Sequence, residues 1–302
     1  MKNLLLYLSK QGWMKSAITG FPLSRNMASR FVAGDSIDDV IRVARELNGR
    51  GKSVTADHLG EHVTDAAEVQ AAHAQYLELI DRIVKEKLDA NVSVKLSEMG
   101  LDIDPEMCRS NMRSLIEHAA KHQMFVRIDM ESSAYTERTM ESFLELRKIY
   151  DNVGIVLQAY LYRTADDVKR TLEVGGRVRL CKGAYAEPAT VAFPEKAATD
   201  KNFVDLTEKL ITSGIYHGIA THDEAMIDAT IALVKKHALK QDAFEFQMLF
   251  GVRRDLQDKL IRDGWKLRIY VPYGDNWYPY MMRRMAERPA NLLFVVRSIF
   301  KG

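Results

Sequence analysis

Eight short runs of β-forming residues, each followed by a helical segment, constrain the fold of this chain more than any other feature. The runs lie at residues 53–57, 91–96, 124–129, 154–159, 177–182, 218–222, 244–249 and 266–271. Consecutive β-then-α units of this number, over roughly 250 residues, are typical of a (βα)8 barrel. The chain has 302 residues, a length that such a barrel fills as one domain.

The segments between the runs have the apolar spacing of amphipathic helices. After the first run, one helical face carries Val69, Ala72, Tyr76, Leu79, Ile80 and Ile83. The first fifty residues, which include IDDVIRVARELNG, predict extra helices before the barrel. We therefore predict an α/β fold with a single domain over residues 1–302, made of N-terminal helices at 1–50 and a barrel at 51–302.

In the second, third, seventh and eighth runs, alternate residues separate into an apolar face and a mixed face. In the second run, Val92 and Val94 oppose Ser93 and Lys95. Because a fully apolar face packs on the helices, the mixed face is expected to line the barrel interior. An internal ion-pair network is predicted for Arg127, Arg177, Glu245 and Arg268.

Polar residues also gather where the runs end. They are Lys95, Asp129, Gln158, Arg179, Lys182, Thr221, His222, Gln247 and Tyr270. Active sites of such barrels are built at the C-terminal ends of the strands, so an enzyme is favoured.

Composition excludes several other classes of function. Lys and Arg number 43 and Asp and Glu 41, for a formal net charge of +2, without a long run of one sign, so nucleic-acid binding is not indicated. Cys108 and Cys181 make no CxxC pair, which favours a reducing compartment. No stretch reaches the ~20 apolar residues of a spanning helix. We expect a cytoplasmic location with at most peripheral contact at the inner face of the membrane.

The stretch HLGEH, residues 58–62, has the H-x-x-E-H spacing of some zinc proteases. Its position directly after a β-run, together with Gly60, is typical of a loop, so no metal is expected. A metal-dependent barrel hydrolase that uses His58 and His62 remains the alternative. A catalytically silent barrel that binds a carboxylate ligand is a second one.

Near the C-terminus, a helix that starts near Asn276 would carry a polar stripe at the spacing of a buried apolar face. The stripe consists of Tyr280, Arg283, Arg284 and Glu287. Such a stripe requires a polar surface or a ligand to face.

The motifs LCKGAY, IATHD, FEFQML and RIYVPYG..WY.Y..RR..E resemble those of the proline dehydrogenases, and VSVKLSEMGLDID, RIDMES and LQAYL match that family in the same order. The resemblance extends from about residue 30 to the end, in the short single-function form, without room for an aldehyde dehydrogenase domain. It implies a distorted (βα)8 TIM-like barrel with extra N-terminal helices and a final helix over the barrel mouth. The implied reaction is FAD-dependent oxidation of L-proline to Δ1-pyrroline-5-carboxylate, the first step of proline catabolism to glutamate.

The resemblance also implies roles for individual residues. Substrate binding falls to Lys95, Leu249, Tyr270, Tyr280, Arg283, Arg284 and Glu287, with the carboxylate on Lys95 and the two arginines. FAD binding falls to Met130, Gln158, Leu180, Lys182, Gly183, Ala184, Thr221 and His222. Asp129 and Arg179 are the implied catalytic residues; Asp129 is either a base or an ion-pair partner. Cys181 stands where many relatives carry valine and is expected to be a small buried substitute.

Partners follow from the same resemblance. Hydride passes from proline to flavin N5, and electrons then leave to a membrane quinone through transient surface contact, to which the N-terminal LLLYL could contribute. The product is expected to pass to a separate pyrroline-5-carboxylate dehydrogenase.

Overall fold

The computed structural model describes residues 28–60 and 63–287, with side chains up to Arg284. Eight parallel strands form a closed barrel in chain order, and β8 pairs with β1 to close it. The strands are β1 Ser53–His58, β2 Ala90–Val94, β3 Val126–Ile128, β4 Val153–Gln158, β5 Arg177–Cys181, β6 Gly218–Ala220, β7 Glu245–Leu249 and β8 Leu267–Tyr273. Each overlaps one of the runs identified in the sequence, so the predicted barrel is confirmed.

Seven of the described helices connect successive strands, one precedes β1 and one follows β8. They are α1 Ile37–Asn48, α2 Ala66–Lys85, α3 Pro105–Ala120, α4 Thr136–Arg147, α5 Thr164–Glu173, α6 Lys196–Ile211, α7 Glu224–Lys236, α8 Arg254–Arg262 and α9 Trp277–Glu287. The helix predicted from IDDVIRVARELNG is α1; the part of the N-terminal prediction before residue 28 lies outside the described residues. Among the described residues, no helix combines the length and apolar content that would span a bilayer.

Local sequence explains where several helices begin. Ser36 and Asp39 form a capping box at α1, in which each side chain accepts a main-chain N–H of the other residue. Asp65 caps α2 by accepting the Glu68 N–H at 2.9 Å. Asp104 caps α3, where Pro105 occupies the first turn and loses no helical hydrogen bond. These caps fix the residue at which each of the three helices begins.

The two faces of the strands separate as the alternation predicts. Val92 and Val94 of β2 are fully buried in the layer between barrel and helices, in one cluster with Leu79 of α2 and Leu115 of α3. Burial of a side chain of this size contributes about 1.5–3 kcal/mol. The opposite, mixed face therefore points into the barrel.

Only part of the predicted internal ion-pair network is present. Arg268 Nε donates to Glu245 Oε1 at 2.7 Å, which confirms that pair. Arg127 instead donates to two main-chain oxygens, of Ile155 at 3.2 Å and of Arg177 at 2.7 Å. Arg177 itself is exposed at the start of β5. The prediction of an ion-pair network among all four residues is therefore wrong.

Gly154 explains where the Arg127 guanidinium lies. The two residues are Cα partners across β3 and β4, and a Cβ on Gly154 would come within 2.7 Å of Arg127 Nη1. The guanidinium therefore reaches carbonyl oxygens through space that only a glycine leaves open.

Helix α9 follows β8 and has two unlike faces. Trp277, Tyr278, Met281 and Met282 are buried in a cluster with Phe31 and neighbouring apolar residues before α1 and after β1. Residues of its other face, described below, line a cavity at the carboxyl ends of the strands. The last helix of the described residues thus lies at the barrel mouth, as expected.

Candidate active site

A cavity of about 670 Å³ lies at the carboxyl ends of the barrel strands. The predicted site residues that line it are Lys95, Asp129, Met130, Gln158, Arg179, Lys182, Gly183, Ala184, Thr221, His222, Leu249, Tyr270, Tyr280, Arg283 and Arg284. The fold therefore brings together side chains that are separated by up to 189 positions, from Lys95 to Arg284.

Two predicted site residues do not line the cavity with described side chains. Leu180 is fully buried in the apolar layer between barrel and helices, because its place in β5 turns it away from the interior. Any contact of Leu180 with a ligand is thus limited to its main chain. The side chain of Glu287 lies outside the described residues.

Asp129 is the centre of a hydrogen-bond network. Its carboxylate accepts from Arg179 Nη1 at 2.8 Å, from Tyr270 OH at 2.8 Å and from the Ser93 hydroxyl. Burial, followed by the charge of Asp129, raises the pKa of Tyr270 well above its usual value, so the phenol stays a neutral donor. Three donors hold the carboxylate in one orientation, an arrangement that favours a positioning role over that of a base.

Arg179 extends this network down the barrel. Its Nε donates to Gln247 Oε1 at 2.5 Å, and Gln247 Nε2 donates to Glu245 Oε1 at 2.6 Å. The guanidinium also lies 5.1 Å from the centre of the Tyr270 ring. Since Glu245 is paired with Arg268, a continuous polar chain runs from inside the barrel to the cavity floor.

Asp57 is a cavity residue that our sequence analysis missed. It is the last polar residue on the inward face of β1 and is fully buried. Its carboxylate accepts a hydrogen bond from Lys95 Nζ at 2.8 Å. The signal was present, since Asp57 follows Thr55 on the same face of the first run and stands at its end.

On the side of the cavity near β4 to β7, hydrogen bonds hold the polar side chains in place. Gln158 Nε2 donates to the carbonyl oxygen of Glu131 at 2.9 Å. The main-chain N–H of Leu249 donates to His222 Nε2 at 2.8 Å, so this nitrogen carries no proton and a neutral ring carries it on Nδ1. Lys182 Nζ donates to Asp223 at 2.8 Å.

Gly183 is required by its backbone conformation and by its surroundings. Its φ is +118°, and a Cβ there would come within 2.3 Å of the Tyr160 ring. The close contact is therefore with a protein ring. Cys181, expected to be buried, is half-buried on the cavity wall, with Sγ 3.7 Å from the carbonyl oxygen of Leu157.

The charge of the cavity wall suits an anionic ligand. Seven Lys or Arg side chains and four Asp or Glu side chains line it. This excess of cations, together with main-chain and amide groups, fits a dinucleotide with its two phosphates and a carboxylate substrate. The residues present therefore fit the cofactor that the resemblance implies.

No described residue group at the mouth supports the metal alternative. His58 Nδ1 lies 2.6 Å from Glu98 Oε1 and the ring packs against Tyr273, while His62 is outside the described residues. Within the described ranges, the cluster with metal-ligand spacing is Asp81, His118 and His122, none of which lines the cavity.

Comparison with known proteins decides the family. The model of the family described as proline dehydrogenase matches residues 40–297. The chain belongs to the proline dehydrogenase family. It is 40% identical to proline dehydrogenase 2 of Bacillus subtilis over 99% of both chains. It is 39% identical to the proline dehydrogenase of Deinococcus radiodurans over 92% of this chain and 91% of that one.

A solved structure shows the same architecture. Proline utilization A from Bdellovibrio bacteriovorus, inactivated by N-propargylglycine, superposes with a TM-score of 0.83 at 27% identity. The match covers 91% of this chain and 34% of that protein. As a member of the family, the chain is an oxidoreductase that oxidises proline, and the hydrolase alternative has no support.

Proposed function

We propose that the chain binds FAD in the cavity and there oxidises L-proline to Δ1-pyrroline-5-carboxylate. The observation that carries this proposal is the convergence, around one cavity, of the residues that the family resemblance assigns to substrate and flavin. When bound, FAD supplies an acceptor, at N5, for the hydride that leaves Cδ of proline.

The substrate carboxylate is bound by three cations from two elements of the cavity wall. Lys95 approaches from the end of β2, and Arg283 and Arg284 approach from α9. Guanidinium groups bind a planar carboxylate through paired hydrogen bonds, and a second cation adds charge at the same point. The Arg284 guanidinium lies 5.2 Å from the centre of the Tyr280 ring, which limits its orientation.

The proline ring is enclosed by apolar and aromatic side chains. Leu249, Tyr270 and Tyr280 line the cavity next to these cations and pack against the ring. Glu287 is proposed to balance the arginines.

The residues that would hold the flavin lie in β4 and β5 and in the loops that follow β3, β5 and β6. The proposed contacts of the flavin are Met130, Gln158, Lys182, Gly183, Ala184, Thr221, His222 and the main chain of Leu180. Arg179 holds a fixed positive charge at the cavity floor, since Asp129 and Gln247 orient it. A preorganised cation of this kind stabilises negative charge gained during reduction. Asp129 therefore acts by positioning Arg179 and Tyr270.

We also propose that electrons pass to a membrane quinone through transient contact of a cytoplasmic protein with the membrane surface. A separate pyrroline-5-carboxylate dehydrogenase would then consume the product. The N-terminal LLLYL, to which this contact was ascribed, lies outside the described residues.

Anaerobic addition of L-proline to the purified holoenzyme tests the proposal. The flavin absorbance should bleach, and Arg284→Met should raise the Kd for proline about 10- to 150-fold, the value of a hydrogen bond to a charged group, while FAD content is retained. Arg109→Met removes an arginine from the outer surface and should change neither quantity. Purified protein without FAD, or flavin that proline leaves oxidised, would contradict the proposal.

A further inference from the structure

Asp57 lies inside the cavity, and the reaction as proposed gives it no role. Its Oδ1 accepts from Lys95 Nζ at 2.8 Å, and both side chains are buried. Its Oδ2 is buried and has no hydrogen-bond partner among the described residues. The ammonium that is needed for the substrate carboxylate is thus already bound to a carboxylate of the protein.

Charged and titratable groups surround Asp57 on every side that the structure describes. They are Lys95 and Glu98 at and after the end of β2, Asp129 after β3, Arg179 of β5, Tyr76 of α2, and Tyr270 and Tyr273 of β8. Of the two cations, Arg179 is bonded to Asp129, and Lys95 is bonded to Asp57. Burial raises the pKa of Asp57 to about 7, which Lys95 opposes and Asp129 and Glu98 reinforce.

The neighbouring phenols donate to other acceptors, although Tyr270 also faces Asp57. Tyr270 OH donates to Asp129 at 2.8 Å, and Tyr76 OH donates to the carbonyl oxygen of Ser93 at 2.9 Å. Their pKa values are raised well above the usual range by burial, so both phenols stay neutral. Ionised Asp57 therefore depends on Lys95 for its compensation.

We propose that Asp57 takes up a proton when a carboxylate ligand binds to Lys95, so that Lys95 exchanges its protein partner for the ligand. This inference rests on the proposed binding of the proline carboxylate at Lys95. An ionised Asp57 would otherwise compete with the incoming carboxylate for Lys95 and repel it in a buried site. Protonation removes that repulsion and leaves the ammonium to the ligand.

The exchange balances the proton that proline must lose. Proline in water is a zwitterion, and its secondary ammonium has no lone pair to support loss of hydride from the adjacent carbon. One N–H bond breaks at the substrate and one O–H bond forms at Asp57, directly or through water. The bound substrate becomes a neutral amine with its carboxylate on Lys95, and the total charge within the cavity is unchanged by the transfer.

Cyclopentanecarboxylate is a suitable probe because it has the five-membered ring and carboxylate of proline but no nitrogen to titrate. Its binding to the FAD-loaded protein is measured by calorimetry at pH 8 in two buffers of different ionisation enthalpy, which counts the protons taken up. With Asp57 titrating near 7, about 0.9 proton should be taken up, and Kd should rise up to about tenfold per pH unit above 7.

Asp57→Asn removes the titrating group at nearly constant shape. Its proton uptake should fall to zero, and its Kd for the probe should become independent of pH between 7 and 9. Asp223→Asn is the matched control, since Asp223 lines the same cavity but pairs with Lys182, and proton uptake should persist in it.

The wild-type protein alone can overturn the inference, even if Asp57→Asn does not fold. Probe binding without proton uptake at pH 8 would do so, as would unchanged uptake in folded Asp57→Asn. If proline bleaches the flavin in either case, the proposed function stands and only the role of Asp57 falls. If the probe does not bind at all where proline does, Lys95 is not the carboxylate site, and the inference fails with that assignment.

Discussion

Replacement of Arg179 by methionine should destabilise the protein strongly, because four polar partners depend on its guanidinium. They are Asp129, Gln247, Ser93 and Thr55, at 2.8, 2.5, 3.1 and 3.4 Å. The side chains of Arg179 and Asp129 are only 7% and 12% exposed, so water can replace few of the lost bonds even though both residues line the cavity. Removal of one partner from a buried ion pair costs about 3–5 kcal/mol.

The lower end of that range applies here. Asp129 keeps its bonds from Tyr270 and Ser93 after the substitution, and these still compensate part of its charge. We therefore expect Arg179→Met to lower the free energy of unfolding by about 3 kcal/mol. The double variant Arg179→Met/Asp129→Leu removes both charges and should be less destabilised than the sum of the two single variants, by about 1–3 kcal/mol.

Equilibrium unfolding in urea measures these changes for wild type, both single variants and the double variant. Lys201→Met is the control, because its ion pair with Asp205 is 77% and 51% exposed and should contribute about 0–1 kcal/mol. A loss under about 1 kcal/mol in Arg179→Met, or strictly additive single effects, would refute the assignment of this network as a buried, mutually dependent unit.

Two further substitutions test other parts of the fold. His217 accepts the Val178 N–H at 3.0 Å, and burial lowers its pKa to about 3. The contribution of neutral His217 to the free energy of unfolding is therefore fully present above pH 6.5. It falls by up to about 1.4 kcal/mol per pH unit as the pH decreases towards 3. His217→Asn should reduce this slope in urea titrations between pH 6.5 and 4, and an unchanged slope would show that His217 is not the titrating group. Gly183→Ala should cost about 1–3 kcal/mol and lower FAD content, since φ is +118° and the new Cβ meets the Tyr160 ring. Gly49→Ala, where φ is −60° and the nearest atom is 3.5 Å away, should leave the melting temperature within a few degrees; equal losses in both would exclude backbone strain as the cause.

The fold was predictable because its signals are local. The alternation of Val92 and Val94 with Ser93, repeated in four of the eight runs, identifies strands with one apolar face. Helix starts at Ser36, Asp65 and Asp104 depend on residues within a single turn. The polar stripe of α9 was likewise visible as a spacing, and the barrel mouth gives it a cavity to face.

The partners of the polar side chains were not predictable in the same way. Arg127 was expected to pair with Glu245, yet it bonds to main-chain oxygens because Gly154 leaves room beside it. Leu180 follows its strand parity into the apolar layer, although the family motif includes it. The first outcome depends on a residue across the barrel wall, which is not a neighbour in sequence, whereas the second follows from the alternation within β5.

The sequence by itself therefore determined the number of strands, their two faces and the end of the barrel where polar groups gather. Only the tertiary structure decided that Asp129 binds Arg179 and Tyr270, which are 50 and 141 positions away, and that Asp57 holds Lys95. The physical reason is barrel closure. Closure places strand ends from the whole chain around one cavity, and each buried charge there must take the donor or acceptor that lies within about 3 Å.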